Sequence, residues 1–489
     1  MARTLAFDLG GSSLKLAIVD ETGAFLGQSR VPLEIHNIGD HHYEVDPMDW
    51  WRAFEHGCRE LAGSGHDFAG IDAVAGCGFT RTQIFLDEAG HVIRPAITFQ
   101  DSRAAGVVER MRIEISAAGS DAIDTLGPFD PLARLLWLKQ EEPEHWARLR
   151  KVVEPKDFLN MMLTGVAASD AISQTPMTRA IKASAEDVFG ILGMDPAILP
   201  DLHSPFDQLA PVRPGLAYPL SELAGWPVHS GSIDTWSCVL GSGGLKAGVG
   251  YSISGTSDVS GVICGVQSTA EGLLSVEWGP GLWQLGGPSQ GAATRLQWAV
   301  DQFSPGMSLQ ASLDSAFASG DPAPLFLPFL DGERTPMWDP DLQGAFLGLS
   351  AAHTAKDFLR GVAEGINYLA REVLVRAEEA IGTPVSHVCF SGGLARSPLL
   401  CQLKADVLNR DVVVPGNPET GLVGAAKVSL RPEIRDQLAV GKGATVYRPD
   451  PDKRLYHDDR FAMFRIACEA IVPISHRMAV LRSAHDALR

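Results

Sequence analysis

The chain has 489 residues, with apolar residues at 45% and 59 Asp plus Glu against 41 Lys plus Arg, a formal charge of −18. That length predicts two domains of similar size. The acidic balance without any basic run excludes nucleic acid as a partner. Seven cysteines without a CxxC pair fit reduced thiols, and the absence of a secretory leader or an apolar span of membrane length predicts a soluble, cytoplasmic protein.

From the start, "LAFDLGGSSLKLAIVD" and the "ETG" turn after it predict consecutive antiparallel strands. A helix opens at "EVDPMDWW", where Asp46 caps, Pro47 takes the first helical position and Asp49 sits in the first turn. Just before it, His41, His42, Glu44 and Asp46 match no zinc spacing and read as a solvated loop with a helix cap. "GIDAVAGCGF" predicts a buried strand, and "TQIFLDEAGHVIRPAITFQDSRA" two more strands around an "EAG" turn. Residues 105–200 are mainly helical by periodicity. A second strand-rich region begins near Val228, and its "YSISGTSDVSGVI" echoes the opening stretch. Thr354 and Asp357 start the longest helix, with Phe358, Val362, Ile366, Leu369 and Val373 at helical spacing. The strand "HVCFSGG", the helix "SPLLCQLKADVL" and the strand "DVVVP" follow, an order that predicts α/β layers in both halves. The domains are placed at 1–240 and 241–435, with 436–489 as a returning tail. Trp50, Trp51 and Trp298 read as packing residues.

Several residues carry candidate chemistry. The Gly10-Gly11-Ser12-Ser13 turn is either a plain hairpin or a cradle whose amides and hydroxyls approach an anion, with Asp8 beside it to hold a divalent cation. "SGTSDVSG" offers the same two readings in the second half. Asp234, in "GSIDTW", is a helix cap or a general base for a substrate hydroxyl. Gly392 and Gly393 follow a strand and precede a helix near Ser397. Glu333 and Arg334 either pair to stabilise a turn or face an active cleft.

Taken in order, "AFDLGGSSLK", "EVDPMDWW", "RPAITFQDSRA", "GSIDTW", "SISGTS", "LPFLDGERTPMWDP", "GAFLGLSAAHTAKDFLRGVAEGI" and "SGGLARSPLLCQLKADVL" resemble the FGGY family of carbohydrate kinases, in a xylulokinase-like form, over nearly the whole chain. The resemblance implies a two-domain actin-like ATPase fold of ribonuclease H-like type, mixed sheets flanked by helices, and an active site in the interdomain cleft. It implies ATP and Mg²⁺, a sugar or polyol substrate, and a homodimer. By the same resemblance Asp8 lies in the Mg²⁺ environment, and Gly10, Gly11, Ser12 and Ser13 form the first phosphate loop. Gly255, Thr256 and Ser257 belong to the second loop, Gly392, Gly393 and Ser397 lie beside the adenosine, and Asp234 is the catalytic base. Asp101 and Arg103 lie near the sugar. Phe79, Thr80 and Arg81 occupy the loop expected to contact the sugar, where xylulokinases usually carry Gln-Met-His. Thr235 and Trp236 replace the more familiar Asn or Gln after the base, and Leu394 a third glycine. The expected activity is phosphorylation of a ketopentose such as xylulose. The alternatives are a glycerol, tetritol or other polyol kinase, or a non-catalytic nucleotide sensor.

Overall fold

The computed structural model describes residues 2–39, 42–118, 127–182, 188–255, 257–318, 322–437 and 443–486. The chain forms two compact units, Met1–Gly241 with Gly421–Leu438, and Ser242–Thr420 with Ala439–Arg489. The segment from Gly421, expected in the second domain, therefore belongs to the first unit, and the end of the chain to the second.

The first unit is built on a seven-stranded mixed sheet. Arg3–Leu9, Ser13–Asp20 and Phe25–Pro32 run antiparallel in succession, as the turn residues predict. Ala73–Gly78 adds parallel to Arg3–Leu9, and Pro227–His229 and Ser232–Ile233 add parallel to Ala73–Gly78. Arg3–Leu9 is covered on both faces. Leu5, Phe7 and Leu9 pack with Trp50 and Phe54 of the helix Pro47–Gly63, while Ala6 packs on Leu422, Ala425 and Ala426 of the helix Thr420–Val428. Burial on both faces explains why the strand reads as an almost unbroken apolar run. It also explains why a segment from late in the chain is part of this unit.

Asp46 caps the helix Pro47–Gly63 as expected, accepting from the Met48 amide at 3.0 Å. The two segments around the EAG turn face each other as expected, through antiparallel bridges at Leu86 with Val92 and Gln83 with Ile97. Their longer ladders run elsewhere, Ile84–Leu86 with Lys151–Val153 and Ala96–Ile97 with Tyr43–Val45. Trp50 and Trp51 are buried, and Trp298 stacks on Phe326 in the second unit, so all three pack.

The second unit repeats the arrangement. Val249–Ser254 and Asp258–Cys264 form an antiparallel hairpin, Leu282–Pro288 extends it, and Val388–Ser391 and then Val412–Val414 add in parallel. The strand Thr445–Tyr447 closes that edge. The long helix Ala355–Ile381 starts at the predicted capping box, where Asp357 accepts from the Thr354 amide at 2.8 Å. Gly361 and Gly365 bring it against the chain: a Cβ there would lie 2.5 Å from the Pro324 carbonyl and 2.4 Å from that of Phe326. The final helix, Arg454–Asp486, buries Phe461 and Phe464 in the same core. Among the described residues no helix is long and apolar enough to cross a membrane.

Gly231 marks the turn that leads into Ser232–Ile233. Its φ is +64°, and a Cβ there would sit 1.8 Å from the Gly76 carbonyl oxygen. Gly231→Ala is expected to lower stability by about 1–3 kcal/mol, measured by urea unfolding. An unchanged midpoint would show that the main chain does not need this close approach.

Candidate active site

Arg3–Leu9, Ala73–Gly78 and Ser232–Ile233 are mutually parallel, so their carboxyl ends lie along one edge of the sheet. Ligands of open α/β sheets bind outside such an edge. Three predicted features follow these strand ends in the chain: the Gly10–Ser13 turn after the first, the Phe79–Arg81 loop after the second, and Asp234 after the third. In the register, Cys77 lies between Asp8 and Ser232. Burial, then the charge of Asp8 and further that of Asp234, push the Cys77 thiol well above its usual range. The two carboxylates thus flank one buried strand end.

Asp234 opens the helix Asp234–Gly241. Its Oδ1 accepts from the Thr235 amide at 2.5 Å and the Thr235 hydroxyl at 3.1 Å. Burial, then the neighbouring Asp8 charge, push this carboxyl up to about 6, against the lowering effect of those two hydrogen bonds. A helix N-terminus favours the anion, so burial and like charge outweigh local hydrogen bonding here. Trp236, next in sequence, is fully buried against Phe206 and belongs to the core.

In the first turn the Gly10 amide donates to the Ser13 carbonyl at 3.0 Å and closes the hairpin. Ser13 is buried, and its hydroxyl accepts from Arg30 at 3.3 Å. Ser12 is exposed at the tip and Gly11 half-buried. Gly10 and Ser13 thus close the hairpin, and Ser12 is its most exposed residue.

Two glycines that composition alone left without a role shape this edge. A Cβ on Gly421 would lie 2.7 Å from Asp8 Oδ2, and one on Gly424 would lie 1.8 Å from the Ser237 carbonyl oxygen. Lys427, one turn on, donates to the Leu240 and Gly241 carbonyls at 3.2 and 3.3 Å, satisfying the end of the Asp234 helix. The G-x-x-G-x-x-K spacing in "TGLVGAAKV" is the signal that would have found them.

The Phe79–Arg81 loop is rigid. Phe79 is buried edge-on against Trp50 and Phe99, so its ring serves packing. The Thr80 hydroxyl lies 3.5 Å from the Ser173 carbonyl. Arg81 is exposed at φ +59°, and Arg134 donates to its carbonyl at 2.6 Å. The Thr82 amide donates to Glu154 at 3.1 Å, and burial pushes that carboxyl up to about 8. Glu154 and Arg134, both buried, thus hold the loop from beneath. Sequence reading missed them; the E-P-x-D helix start at Glu154 was the available cue.

Asp101 and Arg103 lie within a buried network. Arg103 donates to both Asp101 oxygens at 2.7–3.0 Å and to Glu44 at 2.7 Å, and Arg94 bridges Glu44 and Glu142. Both guanidiniums lie over Trp137, at 5.0 and 5.6 Å. Burial alone would raise the Asp101 carboxyl, but Arg103 and the Arg103 and Tyr43 amides hold it below the usual range. Glu44 is therefore an ion-pair member and not part of a solvated loop, because it gains two guanidinium partners on folding. His41 lies outside the described residues.

In the second unit, Val249–Ser254 and Val388–Ser391 are parallel and end together. Gly255 and Ser257 form the hairpin tip, with the Gly255 amide donating to the Ser257 carbonyl at 2.9 Å; Thr256 lies outside the described residues. Gly392 has φ +92°, and a Cβ there would lie 2.5 Å from the Ser254 carbonyl oxygen, so only glycine lets the two strand ends approach. Gly393 begins a short 3₁₀ turn, Leu394 points into the core, and Ser397 precedes the helix Pro398–Leu408. The Ser397 hydroxyl is buried with no hydrogen-bond partner among the described residues, a donor suited to a ligand. Under the tip, Asp258 accepts from the Ser252 and Ser254 hydroxyls at 2.8 and 2.6 Å, and Lys404 donates to Ser252 at 2.9 Å. Glu333 holds the adjoining loop by accepting from the Gln290 and Arg334 amides at 2.5 and 2.9 Å, while Arg334 donates to the Ser289 carbonyl. Burial pushes Glu333 up to about 7.

Residues 3–241 match the N-terminal domain of the FGGY family of carbohydrate kinases, and residues 230–431 match its C-terminal domain. The chain is 28% identical over 431 residues to a xylulose kinase of Lactococcus lactis, covering 84% of each chain. It is 26% identical to a xylulose kinase of Escherichia coli, covering 96% of this chain and 99% of that one. The solved structure of a ligand-bound xylulose kinase from Lactobacillus acidophilus superposes with a TM-score of 0.86 at 20% identity, over 98% of this chain and 100% of that one. That likeness shows the expected two-domain, actin-like ATPase fold.

Because Asp8 contributes to the raised Asp234 value, Asp8→Asn is expected to move the Asp234 carboxyl downward from about 6. Carboxyl-labelled NMR titration reads this directly. An unmoved titration would remove Asp8 as a cause.

Proposed function

The chain belongs to the FGGY family of carbohydrate kinases, and on that premise we propose that it transfers the γ-phosphoryl group of ATP to a hydroxyl of a ketopentose, xylulose first, with Asp234 as general base. The observation that carries this reading is the pairing of Asp8 and Asp234 at one carboxyl edge, with Asp234 pushed up to about 6. A base is most effective when its pKa lies near the working pH. At neutral pH Asp234 is mostly ionised yet more basic than an ordinary aspartate. It takes the acceptor proton as the acceptor oxygen bonds to the γ-phosphorus and the bond to ADP breaks.

The Gly11–Ser12 tip, with Gly255 and Ser257, positions the phosphates, and Gly392, Gly393 and Ser397 take the adenosine. The unpartnered Ser397 hydroxyl and the bare backbone at Gly392 fit such a ligand. Asp8 and Asp234 offer hard oxygen donors of the kind Mg²⁺ prefers. Asp8 would hold the ion, which when bound offsets phosphate charge. Arg103 and Asp101 act behind the sugar loop as positioning residues. The working assembly is taken as a homodimer in the cytoplasm, where free cysteines are stable.

One observation favours a second acceptor class. Phe79 is locked into the core, and Arg81 presents a cation from a left-handed backbone, where the ketopentose kinases carry Gln-Met-His. A polyol kinase of the same family is that second reading. ADP release measured with xylulose, glycerol, erythritol and gluconate separates them: xylulose is expected to give the highest kcat/KM, and a higher value for glycerol or erythritol would overturn the ketopentose assignment.

Asp234→Ala is expected to lower kcat by ~100- to 10,000-fold while ADP affinity, read by calorimetry, stays unchanged. Near-normal turnover would refute the base. Below its pKa the Asp234 carboxyl already carries a proton and accepts no other, so kcat/KM for the acceptor should fall as pH drops through about 6. A flat profile through that range would contradict the assignment.

A further inference from the structure

The second unit holds a cavity of about 280 Å³ between the helices Ala355–Ile381, Pro398–Leu408 and Arg454–Asp486. Leu399, Leu403 and Asp406 face it from the middle helix, whereas Lys404 turns the other way to Ser252 beneath the hairpin tip. The cavity is thus separate from the nucleotide-side residues, although one helix touches both.

Its acidic side chains are already occupied. Asp406 accepts from Gln402 at 2.7 Å, the Asp450 amide at 2.9 Å and Lys453 at 2.9 Å. Glu364 accepts from Arg360 at 2.9 Å and pairs with Arg460 at 3.2 Å. What the wall presents is donors. Lys453 has more N–H groups than its one hydrogen bond to Asp406 uses, and Arg360 contributes a second cation.

His457 supplies the third donor. It is only 2% exposed and lines the cavity. Its Nδ1 meets the Tyr368 hydroxyl at 2.9 Å, and Nε2 has no hydrogen-bond partner among the described residues. The Arg460 guanidinium sits against the Tyr368 oxygen, so the phenol proton turns toward Nδ1. Burial keeps the imidazole neutral, pulling its pKa down to about 4. A neutral ring whose Nδ1 accepts carries its proton on Nε2. The Nε2–H is therefore the ring donor left for the cavity that His457 lines.

We propose that this cavity binds a small organic anion, a carboxylate or phosphate ester on a short carbon chain, with its acidic group against Lys453, Arg360 and the Nε2–H of His457. The apolar wall of Phe317, Leu399 and Leu403 takes the carbon chain. Mixed apolar lining with a few convergent polar groups is the usual make-up of a small-molecule site.

The test is calorimetric titration of the full chain, with ADP in excess to hold the nucleotide site. Malonate serves as the carboxylate probe and glycerol 2-phosphate as the phosphate-ester probe, and whichever binds identifies the anion source. At least one is expected to bind, and Lys453→Glu and His457→Phe should each weaken it by about tenfold or more. His457→Phe also strips Tyr368 of its partner; if it fails to fold, Lys453→Glu decides alone, at a half-exposed position whose side chain is outside the core. No binding of either probe to the natural chain, or unchanged binding in either folded variant, overturns the site. The readout is heat of binding, so it is independent of turnover.

Discussion

Two carboxylates held near one another at the carboxyl edge of three parallel strands are the constraint on which the rest of the first unit depends. Asp8 and Asp234 sit at the ends of strands that flank Ala73–Gly78, and like charges in a partly buried place resist joint ionisation. Their closeness is costly to folding, and together with burial it raises the Asp234 carboxyl toward neutral pH. The surroundings accept that cost through backbone. Gly421 and Gly424 bring a helix against Asp8 and Ser237 where any side chain would collide, and Lys427 satisfies the far end of the Asp234 helix.

The second unit uses the same strand order with a different electrostatic solution. There the carboxylate under the hairpin tip, Asp258, is buried and shared among two serine hydroxyls, with Lys404 at 3.8 Å. It shapes the tip from within. A buried acid with full hydrogen bonding rigidifies its neighbours, while the half-exposed Asp8 remains at the surface of its unit. One strand arrangement thus carries a half-exposed acid in one unit and a buried, hydrogen-bonded acid in the other.

The Phe79–Arg81 loop shows a third device. Its backbone is pinned by Arg134 and Glu154 below, and the neighbouring segment by Arg103, Asp101, Glu44 and Arg94. Ion pairs this buried give little net stability over apolar packing, but they fix geometry. The loop therefore offers Arg81 on a backbone held from beneath.

Much of this was legible in the chain itself. Asp46 before Pro47, the Thr354–Asp357 box and the Gly-Ser turns between apolar runs are local signals: each is read from residues within one turn, and each forms as expected. The ordered motifs likewise identified the family, because their spacing is preserved along the chain. Distant partnerships were not legible. That Glu44 meets Arg103, that Glu154 lies under Thr82, and that Gly421 must be bare to pass Asp8 depend on residues 59, 72 and hundreds of positions apart being brought together. The sequence by itself determined the elements, their order and the residue types available for phosphoryl transfer. Only the tertiary structure decided which carboxylate is tuned and which side chains are locked away, because desolvation and charge proximity exist only once remote segments pack.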